Sequence, residues 1–282
     1  MKRKPATADR VKPDAEEPAA TKGPSGSQTL LRGLDVIDAV KEGPITLADL
    51  AAKLGLTRST AHRLAAALIE RRYLTFAPRL GYQLGPKLLE LGSLAQRQTD
   101  IVQVARPHLE NLALLTGDTL HLGVLDGDRA LYLDKIPGRR RVEISSRVGD
   151  RHPLTSTGLG KALLLDDQVE RWRELFLYDQ STGSPPATYD IWLARMKTYV
   201  TAGHTFDLEE NEDLIRCVAA PIRDASGKIV AAMSVSSAAQ YMADSRMQAL
   251  SEDVRGVAAA ISRDIGWSPE TAPPPRRPGA RK

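Results

Sequence analysis

Between residues 46 and 68 the apolar positions form two short helical stripes separated by a glycine. Leu47, Leu50, Ala51 and Leu54 recur at spacings of three and four, which gives a first helix one buried side. Gly55 stands where a left-handed residue ends that helix, and Thr57 stands where the N-cap of a second belongs. In the second helix Ala61, Leu64, Ala65 and Leu68 face inward, while Arg58, Ser59, Thr60, His62 and Arg63 face outward. Guanidinium and hydroxyl groups on one exposed face suit base edges and phosphates in a DNA major groove, so the segment reads as a helix-turn-helix. An ordinary helical hairpin with a solvated polar face has the same period.

The flanking patterns favour the first reading. Two short β-like runs, 73–76 and 82–85, bracket a turn, a "wing" whose Arg79 lies near the tip and within reach of a phosphate. Ahead of the motif, Leu30, Leu31, Leu34, Ile37 and Val40 mark a helix over about 29–41, on which Arg32 is a further phosphate candidate. A winged helix-turn-helix therefore occupies 27–85. Leu88, Leu89, Leu91 and Leu94 then follow Pro86, a residue suited to a first helical turn, and predict a linker helix over 86–99.

Beyond residue 100 the periodicity becomes mixed. A helix is expected at 101–115, then strands at 119–125 and 129–136 around the turn Asp126-Gly127, and a third strand at 142–147. Helices follow near 158–166, 168–177 and 190–202, strands at 217–223 and 228–236 flank a turn at 224–227, and an amphipathic helix closes at 244–265. Hairpin strands with helices grouped between them predict an α+β domain over 100–266, built on an antiparallel sheet.

Composition changes this picture little. The 282 residues, 42% hydrophobic, accommodate two domains, and no apolar run is long enough to cross a bilayer. Residues 1–26 and 267–282 are rich in Pro, Ala and charge and read as disordered tails without a signal peptide, so a cytoplasmic protein is expected. Residues 29–85 carry eight Lys or Arg against five Asp or Glu, whereas 86–267 carry 21 against 25. The basic part is the one read as approaching phosphates. A single cysteine, Cys217, excludes an internal disulfide and a multi-cysteine metal site.

Catalytic signatures fail one by one. The run 156–162 resembles a phosphate loop, but Thr155 and Ala162 occupy positions that need glycine and a hydroxyl residue. Neither GxSxG nor HExxH occurs, the five histidines stand apart, and Cys217 in an apolar strand reads as a buried structural thiol. Asp207, Glu209, Glu210, Glu212 and Asp213 read as a solvated acidic loop. Binding groups remain. Gly158 and Gly160 open a helix behind the hydroxyls of Thr155, Ser156 and Thr157, and its N-terminus suits a carboxylate. Ser234 and Ser236 project to one sheet face, as Cys217 and Ala219 do to theirs. No cofactor or metal ion is expected.

Four segments carry a family resemblance: SQTLLRGLDVID at 27–38, LADLAAKLGLTRSTAHRL at 47–64, GDRHPLTSTGLGKA at 149–162, and the spacing G-x3-D-x2-E-x6-C-V-A-x-P-I from Gly203 to Ile222. Over 27–265 the chain resembles the IclR family of bacterial transcription regulators. The resemblance implies a winged helix-turn-helix, a linker helix and a GAF-like or profilin-like effector domain, assembled as dimers or dimers of dimers. It implies an effector pocket at Gly158, Leu159, Asp207, Cys217, Ser234 and Ser236, with Thr157 adjoining. Leu214 departs from the glycine of many relatives. The expected function is a repressor that binds operator DNA and senses a small carboxylate, such as a sugar acid or 2-keto acid. The alternatives are an enzyme fused to a DNA-binding domain and a constitutive DNA binder without ligand.

Overall fold

The computed structural model describes residues 27–141, 144–183 and 188–269. The tail expected at 1–26, the tail expected at 267–282 from residue 270 onward, and the first two residues of the strand expected at 142–147 lie outside them; Trp267, expected in that tail, instead donates its N–H to Ser262 C=O at 2.9 Å. The chain divides into two compact units between Ala95 and Gln96.

The first unit holds α1 (Gln28–Ala39), α2 (Leu47–Lys53), α3 (Arg58–Glu70), β1 (Leu74–Ala77), β2 (Gly81–Leu84) and most of α4 (Pro86–Gln98). Thr46 and Thr57 cap α2 and α3 by accepting from Asp49 N–H and Thr60 N–H, both at 3.3 Å. Gly55, at φ +62°, makes the turn between them, and Leu56 N–H closes on Ala51 C=O. Leu50, Ala65, Leu74 and Tyr82 form the core with Val36 and Ala39 of α1 and Val40 at its end. The α1 stripe differs from the expected one. Leu30, Leu31 and Leu34 are exposed and Val36 and Ala39 are buried, because the core lies against the second half of the helix.

In the second unit a six-stranded antiparallel sheet has the order β5-β4-β3-β8-β7-β6. Its strands are β3 (Thr119–Asp126), β4 (Arg129–Ile136), β5 (Arg151–Pro153), β6 (Thr205–Leu208), β7 (Ile215–Arg223) and β8 (Ile229–Ala238). Strand β5 corrects the one expected at 142–147, since Ile144 to Arg147 form no strand and Arg151–Pro153 pair with β4 instead. Strand β6 went unpredicted, its four residues being too few for a period to show.

Alternation along the strands separates two cores. One face packs Leu120, Leu122, Val218, Ala220, Met233 and Val235 against α5 (Ile101–Thr116) and α9 (Asp244–Asp264). The other carries smaller residues, Ala219 and Ala232 among them, under α6 (Gly158–Leu163), α7 (Val169–Thr182) and α8 (Tyr189–Ala202), where Trp172, Phe176 and Trp192 pack. Among the described residues no helix is long and apolar enough to cross a membrane.

Candidate functional site

Two surfaces carry the groups singled out by the sequence. On α3, Arg58, Ser59, His62 and Arg63 are exposed on the side opposite the buried Ala61 and Ala65. Thr57 and Thr60 serve the cap, where Thr57 Oγ1 lies 2.9 Å from Thr60 Oγ1 and 3.1 Å from Ser59 Oγ. Arg79 is exposed in the turn of the β1–β2 hairpin at φ +73°, a left-handed conformation uncommon for a residue with a Cβ, and Arg32 is exposed on α1. Helix, cap and hairpin together leave an arginine-bearing helix face open to solvent.

The second surface is a cavity on the sheet face beside Thr157, the residue that caps α6. The register Asp207–Cys217–Ser236–Thr119 runs across β6, β7, β8 and β3, and the next row is Thr205–Ala219–Ser234–His121–Lys135. Over the first row lies a space of about 40 Å³ whose lining includes Asp207, Cys217, Ser236, Tyr132, His121 and His152. Thr157, Ile144 to Ser146, Asn211, Glu212 and Ile215 complete its wall.

The expected site residues divide here. Thr157, Asp207, Cys217 and Ser236 line the cavity; Gly158, Leu159 and Ser234 do not. Ser234 Oγ sits behind the His121 ring, 3.4 Å from Nδ1. The N–H of Gly158 turns to the Cys217 thiol rather than to open space, and Thr157 Oγ1, which donates to Pro153 C=O, accepts from Gly160 N–H. The glycines of α6 thus serve packing: a Cβ on Gly158 would collide with Cys217 Sγ, and one on Gly160 would lie 2.6 Å from the Leu154 backbone.

Burial sets the electrostatics of this cavity. Asp207 is 4% exposed, and its carboxyl is pushed up to about 6, chiefly by desolvation, with Lys161 and the N–H of Glu210 opposing. Desolvation first, then the Asp207 charge, push the Cys217 thiol up to about 12. At neutral pH it is a thiol, not the thiolate that nucleophilic chemistry requires. Burial likewise pushes His121 down to about 3, so its neutral ring hydrogen-bonds Ser146 Oγ at 2.8 Å. The acidic segment is a solvated loop only in part: Glu212 and Asp213 are exposed, whereas Asp207 and Glu210 are buried and Glu210 pairs with Lys161 and, at 2.7 Å, with Arg195.

Sequence reading missed the aromatic wall. His121, Tyr132 and His152 come from three separate strands, yet their rings lie in series, tilted to one another, with centroids 4.9 and 4.4 Å apart. His152 Nε2 is buried without a hydrogen-bond partner, and burial lowers the affinity of the ring for a proton. The only advance signal was the parity of His121 with Thr119 on one strand. Among the described residues no cluster of His, Cys, Asp and Glu could hold a metal ion.

Comparison with known proteins covers both units of the chain. The family described as "IclR helix-turn-helix domain" matches residues 29–78, and "Bacterial transcriptional regulator IclR C-terminal" matches 94–263. The chain is 31% identical to the HTH-type transcriptional regulator XynR of Escherichia coli (strain K12) over 246 residues, 85% of this chain and 98% of the relative. It is also 31% identical to the DNA-binding transcriptional repressor YiaJ of the same strain over 258 residues, 87% and 90% of the two chains. The crystal structure of the Agobacterium tumefaciens repressor BlcR superposes with a TM-score of 0.73 at 26% identity, covering 85% of this chain and 98% of that one. With the helix-turn-helix, the antiparallel sheet and both family matches in agreement, the chain belongs to the IclR family of bacterial transcriptional regulators.

Proposed function

We propose that the chain is a ligand-responsive repressor that acts in the cytoplasm as a homo-oligomer. Its α3 reads double-stranded operator DNA, and a small carboxylate, such as a sugar acid or 2-keto acid, binds in the cavity beside Thr157. The observation that carries the effector reading is the buried Nε2 of His152 in the wall of a polar cavity, which has no hydrogen-bond partner and only the Asp150 carboxylate at 3.9 Å. Leaving such a group unmatched is costly, and a ligand oxygen satisfies it. Asn211 accepts from Ser156 through Oδ1 at 3.3 Å, which leaves its amide N–H groups to donate. His152 and Asn211 therefore take the carboxylate, Asp207 accepts from ligand hydroxyl groups, and Ser236 bonds a hydroxyl or keto oxygen. At about 40 Å³ the cavity is small, and an effector larger than a few water molecules widens it. Exposed leucines on α1 and α4, Leu30, Leu31, Leu34 and Leu89, support self-association.

A thermal-shift screen of sugar acids, 2-keto acids and aromatic acids tests the effector reading, followed by operator titrations with and without each hit. A hit is expected to raise the melting temperature and to change operator affinity, with His152→Phe weakening its binding at least tenfold. No shift with any class, or a shift that leaves operator affinity untouched, sinks it. On the DNA side, Arg58→Ala and Arg63→Ala are each expected to weaken operator binding by about 1–3 kcal/mol without changing effector affinity. Arg32→Ala and Arg79→Ala are expected to weaken all DNA sequences alike and to flatten the salt dependence. Wild-type operator affinity in both the Arg58 and Arg63 variants overturns the assignment of α3.

A further inference from the structure

One wall of the cavity, Ile144 to Ser146, belongs to no helix or strand, so its backbone carbonyls need partners from outside. A single side chain supplies them. Lys135 Nζ donates to Ile144 C=O and to Ser146 C=O, both at 2.7 Å, while His121 holds the Ser146 hydroxyl from beside it. Charge-assisted bonds to two carbonyls of buried residues fix a segment more firmly than neutral bonds do. At the surface the same wall meets the opposite one where Ser145 Oγ lies 3.4 Å from Glu212 Oε2.

A bulge puts Lys135 in position. Leu122 pairs with Asp134 but Gly123 pairs with Tyr132, so Leu133 is an extra residue in β4. Tyr132 and Lys135, three apart and destined for opposite faces of a regular strand, both reach the cavity face. Asp134 reaches the other, where it binds Arg106 at 3.1 Å.

We propose that Lys135 is the latch of the effector site: its ammonium holds the wall at 144–146 shut over the cavity, and effector entry proceeds by release of that wall. Lys135 is a positioning residue in this scheme and sets the rate of access. The proposal rests on the cavity being the effector site, and the experiment separates the two claims.

Hydrogen–deuterium exchange of the full chain, read in the peptide covering 144–149, is compared for wild type, Lys135→Met, Lys135→Gln and Lys135→Arg. Lys135→Met is expected to exchange at least tenfold faster there, with β3, β7 and β8 unchanged, and Lys135→Arg to restore most of the protection. Lys135→Gln keeps a donor for one carbonyl and is expected to fall between; it reads the same effect where Lys135→Met does not fold. No local rise, or a rise spread evenly over the domain, overturns the latch. D-gluconate and glyoxylate serve as probes in a second arm. A probe that binds wild type without altering exchange in 144–149 also overturns the latch but leaves the site standing. A local rise in Lys135→Met with neither probe bound to any variant supports the latch and counts against the carboxylate reading.

Discussion

Replacing Asp207 by Asn is expected to stabilise the ligand-free protein at pH 7.5 by up to about 3 kcal/mol while weakening effector binding. The carboxyl is raised from its ordinary 3.8 to about 6, chiefly because burial penalises its charge. The sign follows from linkage. A raised carboxyl contributes stability that is fully present below its unfolded value and is lost as pH rises through the folded value near 6. Asparagine does not titrate and still accepts from Glu210 N–H, 2.8 Å from Asp207 Oδ1. The variant and wild type are therefore expected to have similar stabilities near pH 4, to diverge between about pH 4 and 6, and to differ by a constant amount above. Urea unfolding at pH 4, 5, 6 and 7.5 checks this. Equal stability at pH 7.5, or a wild type favoured there, shows that the charge is not the costly element. A buried charge kept at such a cost is what a binding group looks like before its ligand arrives.

Gly160→Ala is expected to destabilise the effector domain more than Gly158→Ala, and the two are expected to differ in whether they can be rescued. A methyl group on Gly158 meets mainly the Cys217 thiol, a side-chain atom, with Asp207 N at 3.4 Å. A methyl group on Gly160 meets Leu154 Cα, Leu154 O and Thr157 Oγ1, each at 2.6 Å, two of them backbone. Overpacking of this kind typically costs about 1–3 kcal/mol when side chains can shift and more when the backbone must. In a double-mutant cycle, Cys217→Ala is expected to recover most of the loss in Gly158→Ala and none of that in Gly160→Ala. Equal rescue of both, or of neither, contradicts the packing role assigned to α6. Gly158→Val, with two further methyl groups, is an unsuitable probe of ligand binding, since loss of folding precedes loss of affinity.

The first unit was legible from residues 46–85 because its signals are local. Apolar spacing, Gly55 and the threonine caps each act within one or two helical turns, and all agree with the structure. The same holds for α5, for the β3–β4 hairpin around Asp126-Gly127 and for α9. Short edge strands were not legible: β5 and β6 have three and four residues, below the length at which alternation stands out, and each exists because a longer neighbour offers it a ladder. Even the run at 142–147, strand-like in composition, is turned into an irregular wall over its described residues, since the edge of β4 pairs with Arg151–Pro153 instead.

For the effector cavity, the sequence by itself determined which residues carry polar groups and, through period two, that Ser234 and Ser236 share a face. Tertiary structure alone decided that Ser236 opens into the cavity while Ser234 is spent on His121, because one more element, the β3 histidine, lies between. It also decided that the dipeptide around Gly158 packs on Cys217 rather than presenting free N–H groups, a consequence of how closely α6 approaches the sheet. The tilted rings of His121, Tyr132 and His152 come from three strands, and Tyr132 and Lys135 share a face only through the bulge at Leu133. Periodicity reports the neighbours a residue has along its own element. Register, bulges and burial depend on which other elements arrive, and they set which polar groups are left for a ligand.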